Sequence, residues 1–348
     1  MKFDKIDLRQ WMPFLVMAVA MVGLIFVWAD WNQIWSALQQ ANWQSIPRAL
    51  LAAFISYACI SFSFAQVSRL LGVEMRLKDL VIIGFVSSVL NHLVLSGGAA
   101  GYSVRFMLMN RHGVSMREVV AISILHFLLT SLLMIFMLPV GLIYLGLNAS
   151  LNQTTAVVLA ASALALFLGT VLASILVFWG KARRKTIGIL VRAVRAVVRR
   201  DVREPLERFD QTVALGTKAM GQDPGSMVLI ASLIVVDWSF SAMALWSCFR
   251  AFSVTLSLGE LISGFVIGTV AGVASFLPAG VGIQEASMTG IFALFGVALE
   301  KAALAAILYR VVYSIVPYLF SLGLYRLVLR PENENQVARE EEYENPYA

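Results

Sequence analysis

Ionisable residues inside long apolar stretches are the first candidates for chemistry in this sequence, because an isolated charge in a bilayer core costs on the order of several kcal/mol. These candidates are His92, Arg105, His126, Asp237, Glu285 and Arg310. An ion pair between Glu285 and Arg310 would let both charges persist at low dielectric. That pair would either handle a substrate or only hold a helix in place. Asp237 would pair with a cation or relay a proton, and His92 would be functional or a packed core residue.

Two glycine-rich breaks accompany these candidates. Gly97, Gly98 and Gly101 end one apolar block, and Pro278, Gly280 and Gly282 end another. Backbone groups left unpaired at such breaks must face protein or a watery cavity. A broken helix end carries a partial positive charge that suits a phosphate or another anion, and Arg105 would reinforce it. The alternative is that the glycines only permit close helix packing.

The elements that must position these residues are transmembrane helices. The chain is 59% hydrophobic and only 14% charged, whereas soluble domains carry about 25% charged residues. Six apolar blocks are long enough to span a bilayer: residues 11–29, 49–67, 119–146, 154–179, 227–249 and 302–325. Two shorter blocks, residues 80–96 and 261–277, end at the glycine breaks. We therefore predict an all-α polytopic bundle of about six full spans plus two broken helices.

The distribution of basic residues predicts the topology. With the N- and C-termini in the cytoplasm, most of the 27 Lys and Arg residues fall on the inner side if residues 80–96 and 261–277 are re-entrant. Two full spans at those positions are the alternative, and they would place basic stretches outside. The net charge of +6 thus reflects membrane orientation, and we expect no nucleic-acid partner.

A faint internal repeat at an offset of 183 residues relates the two broken blocks. Both copies contain a broken apolar block, a glycine cluster, a short amphipathic stretch and a long helix in the same order. An odd number of spans separates them, so the copies would be inverted. Inverted repeats with discontinuous helices mark the substrate site in many transporters. Chance identity in apolar sequence is the alternative.

Residues 1–330 are predicted to form a single transmembrane domain, followed by an acidic cytoplasmic tail, residues 331–348, that we expect to be disordered. Residues 181–208 fit a basic amphipathic helix on the inner leaflet, or a solvated loop. The two cysteines follow no metal or disulfide pattern, and no nucleotide loop is present in the sequence. We therefore expect no metal, no cofactor and no enzymatic activity.

Two motifs resemble a known family. Gly97-Gly98 with Val104-Arg105 resembles one signature of the flippase-like lysylphosphatidylglycerol synthase transmembrane family, and residues 277–286 with Arg310 resemble the second. Tyr102-Ser103 stands where an acidic residue often follows the first glycine pair. In the best-known member, this domain moves an aminoacylated phospholipid and a separate domain synthesises it. With few residues after the last span, the resemblance implies a stand-alone translocase-like module of a bacterial inner membrane.

The leading hypothesis is movement of a phospholipid or lipid-linked headgroup between leaflets, with Arg105, Glu285 and Arg310 contacting the headgroup and Asp237 and His92 as further candidates. Anionic or aminoacylated phospholipids would be the partners. The alternative is a non-transporting membrane partner of a lipid-synthesis enzyme. A lipid-modifying enzyme with Glu285 or Asp237 as base ranks last. The sequence leaves open the lipid, the direction, the energy coupling and the oligomeric state.

Overall fold

The computed structural model describes residues 31–93, 99–198, 203–275, 277 and 280–329, and these residues are mostly helical. The helices are α1 (Trp31–Gln39), α2 (Ser45–Leu70), α3 (Leu77–Leu93), α4 (Ala99–Asn110), α5 (Met116–Asn148), α6 (Gln153–Phe178), α7 (Gly180–Val198), α8 (Arg203–Gln222), α9 (Pro224–Ala251), α10 (Leu258–Ala274), α11 (Ile283–Leu294), α12 (Leu299–Arg310), a π-helix (Val311–Ile315) and α13 (Val316–Leu329).

Five of these segments are long and apolar enough to cross a membrane. They are α2, α5, residues Gln153–Leu176 of α6, α9, and the run Leu299–Leu324 that joins α12, the π-helix and α13. This confirms the predicted all-α polytopic class. The first predicted span, residues 11–29, and the acidic tail, residues 331–348, lie outside the described residues.

Polar side chains fix the starts of the long helices. Ser115 and Glu118 form a reciprocal capping box at the start of α5, and the Asn152 side chain accepts from the backbone of Thr155 at 2.8 Å. Asp223 caps α9 by accepting from Ser226, and these hydrogen bonds lower the pKa of its exposed carboxyl. Each cap satisfies backbone donors that a helix start leaves unpaired.

Each predicted broken block forms a helical hairpin. In the first hairpin, α3 and α4, Asn91 contacts Gly101 and Ser87 contacts Arg105, so the arms are antiparallel. The second hairpin, α10 and α11, is also antiparallel. Its arms have 17 and 12 residues, so the shorter one is about 18 Å long, against a hydrocarbon core of about 30 Å. Antiparallel arms of this length return the chain towards its starting side, which is the geometry of re-entrant elements.

The helix order supports the predicted inverted repeat. The series α2, α3, α4, α5 recurs about 180 residues later as α9, α10, α11 and the run from α12 to α13. The leading helices of the two copies, α2 and α9, pack closely against each other. The N–H of Asn42, just before α2, donates to the carbonyl of Ala251 at the end of α9 at 2.7 Å. The two helices therefore run antiparallel, as an inverted repeat requires.

The last helix of each copy also packs on the hairpin of the other copy. The last helix of the first copy, α5, packs on α10 of the second hairpin, where the Ser263 hydroxyl donates to the Gly141 carbonyl at 3.0 Å. The last helix of the second copy, α13, packs on α3 of the first hairpin, where Phe320 meets Phe85 edge to face at 5.8 Å. Each hairpin is thus held between helices of both copies.

The basic stretch differs from the single helix predicted over residues 181–208. The structure has two helices there, α7 and α8, which pack on each other. A partly buried ion pair between Arg183 and Asp210 joins them. A cavity of about 460 Å³ between them is lined by Arg184, Arg192 and Arg203 among others. This hairpin lies outside the two repeated series.

Candidate functional site

The second hairpin holds a carboxylate at the start of its short arm. Gly280 and Gly282 take positive φ angles of 55° and 86° and turn the chain into α11. The buried Glu285 side chain accepts a hydrogen bond from the Gly282 N–H at 2.8 Å. The carboxylate therefore satisfies a backbone donor of the broken helix and lies at its positive end.

Arg310 neutralises this carboxylate. It is the last residue of α12, and its guanidinium forms an ion pair with Glu285 while also donating to the Gln284 side chain at 3.0 Å. The two charged side chains are 15% and 8% exposed. The structure thus contains the ion pair considered from the sequence, and its role in handling a substrate remains a prediction.

The first hairpin holds a buried cation instead. Arg105 of α4 is 3% exposed. Its Nε–H donates to the Ser87 hydroxyl at 2.8 Å, and its guanidinium carbon lies 4.4 Å from the centre of the Phe64 ring. Among the described residues, no carboxylate lies within 4.0 Å of Arg105. A cation–π contact lowers the cost of this burial but leaves the charge uncompensated.

Buried polar atoms without hydrogen-bond partners lie on α2 and α5, the helices that supply Phe64 and His126. His126 of α5 is 4% exposed, meets the Phe64 ring edge to face, and interacts electrostatically with Arg105. Within the part of the chain that the structure describes, its Nε2 has no hydrogen-bond partner, and the same is true of the Ser63 and Ser123 hydroxyls. Buried polar atoms usually have partners, so this region can accept hydrogen-bonding groups from a ligand.

Asp237 and His92 belong to a third cluster, where α2, α9 and the π-helix meet. Asp237, 7% exposed, accepts from the Ser56 hydroxyl at 2.5 Å. The Tyr313 hydroxyl lies 2.8 Å from Ser56 and 2.6 Å from Ser241. His92 meets the Tyr313 ring edge to face, with 5.5 Å between centroids. A π-helix is a rare irregularity that is frequent at functional sites.

The structure therefore divides the candidates from the sequence into three groups. Glu285 and Arg310 form a pair, Asp237 and His92 share Tyr313, and Arg105 is in a separate cluster with His126. Sequence reasoning missed the hydroxyl groups of Ser56 and Ser241. Several serines within one apolar span were the available signal, because hydroxyls in a membrane helix often bond across to a neighbouring helix.

Some of the glycines that the structure describes permit close helix packing. A Cβ on Gly101 would lie 2.2 Å from the Asn91 side-chain oxygen. Gly264, Gly268 and Gly272 of α10 face Phe292, Met288 and Gln284 of α11. This supports the close-packing interpretation for these positions. Gly97, Gly98 and Pro278 lie outside the described residues.

A known protein family matches most of the chain. Residues 15–321 match the family described as the lysylphosphatidylglycerol synthase TM region. The chain belongs to this family. The match includes both hairpins and all the candidate residues, so the resemblance drawn from the two motifs is confirmed.

Individual relatives cover the chain at low identity. The inner membrane protein YbhN of Escherichia coli is 23% identical over 91% of this chain and 93% of its own length. A UPF0104 membrane protein of Methanothermobacter thermautotrophicus is 22% identical over 84% of this chain and 88% of its own. A phosphatidylglycerol lysyltransferase of Staphylococcus aureus is 26% identical over 81% of this chain but only 29% of its own length. The chain is thus similar to whole membrane proteins and to one part of a larger lipid enzyme.

Proposed function

We propose that this protein moves a phospholipid or lipid-linked headgroup between the leaflets of a bacterial inner membrane, without catalysing a chemical reaction on it. The descriptions of the family and of the lysyltransferase relative both refer to phosphatidylglycerol, a phospholipid. The chain matches less than a third of that relative, so we do not assign lysyl transfer to this chain. Both termini are proposed to be cytoplasmic.

The observation that carries the proposal is the buried guanidinium of Arg105. It lies in the 12-residue arm of a helical hairpin and has no carboxylate partner among the described residues. A lipid phosphate diester would supply the missing negative charge and accept hydrogen bonds from the guanidinium. His126, which interacts electrostatically with Arg105 and has an unpartnered Nε2 among the described residues, would bind a further headgroup oxygen. The acyl chains would stay in the bilayer.

The Glu285–Arg310 pair is proposed to contact the headgroup from the second hairpin. Glu285 ties the start of α11 to the end of α12, so a headgroup that competes for either charge would change how these helices are joined. The two hairpins would then contact the lipid at different stages of its passage. Arg105 would compensate the negative charge of the phosphate. The Glu285–Arg310 ion pair would break and re-form as the headgroup passes.

Headgroup translocation in proteoliposomes tests the proposal. Fluorescent phosphatidylglycerol is reconstituted in both leaflets, and the fraction accessible to an external quencher is followed over time. We expect lipid movement to be faster with the wild type than in empty vesicles. Arg105→Gln should be roughly tenfold slower than the wild type, because this variant loses a charge-assisted hydrogen bond to phosphate. Arg250→Gln is the matched control, since Arg250 also packs on an aromatic ring, Trp246, but is exposed.

Three results would contradict parts of this proposal. If the wild type moves lipid no faster than empty vesicles, transport of those lipids is excluded and the non-transporting membrane partner becomes the better hypothesis. If Arg105→Gln is as fast as the wild type, Arg105 does not bind the headgroup. If Glu285→Gln is as fast as an active wild type, the role of the ion pair is wrong.

A further inference from the structure

Asp237 forms a closed cluster of oxygen atoms near the middle of the bundle. Its carboxylate accepts from Ser56 of α2, and the Ser56 hydroxyl lies 2.9 Å from that of Ser241 and 2.8 Å from that of Tyr313. Ser241 and Tyr313 are 2.6 Å apart. The oxygens come from α2, α9 and the π-helix, so the cluster joins the leading helices of both repeats to the last membrane run.

No cation compensates this carboxylate within the described part of the chain. The ion pairs of Arg183, Arg208 and Arg310 are with Asp210, Glu204 and Glu285, and none of them includes Asp237. A buried, unpaired carboxylate is costly when ionised. The hydroxyls around it can both donate and accept, so they can serve the ionised and the protonated acid alike.

Other titratable groups face the cluster from every packed element. Tyr57 and Cys59 of α2 and Tyr313 of the π-helix interact electrostatically with Asp237. The remaining groups are His92 of α3, and Tyr309 and Arg310 of α12, and the charge of Arg310 acts on Tyr57, His92 and Tyr309. Among these, only Arg310 is a fixed cation, and Glu285 already neutralises it.

The spacing of the oxygens favours a proton over a metal ion. The four contacts are between 2.5 and 2.9 Å, which are hydrogen-bond lengths. The three hydroxyl hydrogen atoms can therefore occupy at most three of these four contacts. A bound cation would need their lone pairs turned towards a common centre instead.

The cluster is linked to the Glu285–Arg310 pair through the backbone of the π-helix. Tyr313 lies in the π-helix that begins immediately after Arg310. The Tyr57 hydroxyl also donates to the Tyr313 backbone carbonyl at 2.9 Å, so α2 holds this irregular turn in place. A change in the hydrogen bonds of Tyr313 would act on the same short segment that positions Arg310.

We propose that Asp237 takes up and releases one proton in each transport cycle and so couples lipid movement to a proton gradient. This inference rests on the proposed function. Uptake forms an O–H bond on the carboxylate and removes its charge, and the new carboxyl then donates to a hydroxyl oxygen of the cluster. The rearranged hydroxyls move Tyr313 and, through the π-helix, Arg310. Release on the other side of the membrane restores the carboxylate.

Translocation under an imposed pH gradient tests the coupling. Proteoliposomes with fluorescent phosphatidylglycerol are given either equal pH on both sides or a gradient, with a pH-sensitive dye inside. We expect the gradient to accelerate the wild type and lipid movement to carry protons. Asp237→Asn should lose the gradient-dependent part of the rate, whereas Glu74→Gln, which changes an exposed loop carboxylate, should keep it. If Asp237→Asn responds to the gradient like the wild type, the proposal is overturned.

Infrared difference spectroscopy of the purified protein tests proton binding without any transport. On acidification, the wild type should show one protonated-carboxyl band that is lost in Asp237→Asn and kept in Glu74→Gln, in addition to the absorption of the other acids. If Asp237→Asn does not fold, Tyr313→Phe should move the pH at which this band appears, and an unmoved band would refute the proposal. If the wild type moves no lipid but shows the band, the proposed function fails while the proton site stands.

Discussion

The two broken hairpins occupy equivalent places in the repeats but carry opposite electrostatic arrangements. The second hairpin contains its own counter-charge, since Glu285 is paired with Arg310 and bonded to the backbone of Gly282. The first hairpin holds Arg105 against an aromatic ring and a hydroxyl, with no carboxylate among the described residues. The scaffold is shared, and the charge balance is not.

This difference separates a charge that is compensated within the protein from one that has no carboxylate partner among the described residues. A buried ion pair is complete within the protein, and removing one partner leaves the other uncompensated. A buried cation without a partner makes the opposite prediction, because its removal relieves a cost and its function appears only with an anionic ligand. The same type of substitution in the two hairpins should therefore have different effects.

The largest expected effect comes from breaking the ion pair. Arg310→Met should lower the free energy of unfolding by about 3–5 kcal/mol, because it leaves the Glu285 carboxylate buried and unpaired. The measurement is unfolding of the purified protein in detergent micelles. Arg310→Met with Glu285→Gln should recover most of this loss, since Gln can still accept from Gly282. Equal stability of the single variant and the wild type would show that the pair is not a structural link.

A smaller loss should follow from filling the turn of the second hairpin. A Cβ on Gly280 would lie 2.8 Å from the Cα of Gly272 and would require a side chain at a φ of 55°. We expect Gly280→Ala to cost about 1–3 kcal/mol in the same unfolding assay. Gly290→Ala, in the open part of α11, has nothing within 4 Å and should be neutral or slightly stabilising. Similar losses in both variants would mean that the turn is not a special constraint.

The smallest change in stability is expected at the first hairpin. Arg105→Met keeps most of the side-chain volume and removes a charge that has no carboxylate partner among the described residues. Its free energy of unfolding in detergent should be within about 1 kcal/mol of the wild-type value, or higher. A loss as large as that of Arg310→Met would show that Arg105 is part of a structural ion pair and would remove the contrast between the hairpins.

The helices and their breaks were predictable from the sequence because hydropathy and glycine position depend on local composition. Predicted blocks at residues 80–96 and 261–277 became α3 and α10, each shifted by about three residues. The Glu285–Arg310 pair was also predictable from the sequence, because only a few charged residues lie in apolar stretches and opposite charges there attract each other.

The hydroxyl cluster and the π-helix were not predictable in this way. Ser56 and Asp237 are 181 residues apart in sequence, and their contact depends on how α2 crosses α9. Serine in an apolar helix often bonds to its own backbone, as Ser61 does, so its type alone does not indicate a cross-helix bond. The π-helix needs one extra residue in a turn, and its Tyr313 makes hydrogen bonds to α2 and α9, which are distant in sequence.

A lipid titration of the purified protein tests the central claim, that Arg105 binds a phosphate-bearing headgroup, most directly. Short-chain phosphatidylglycerol is added to wild type, Arg105→Met and the control Arg250→Gln in an uncharged detergent, and the thermal midpoint is measured. We expect stabilisation of wild type and Arg250→Gln that reaches about 2.7 kcal/mol at a hundredfold excess over Kd, and none for Arg105→Met. An equal rise of the midpoint in Arg105→Met would contradict the account.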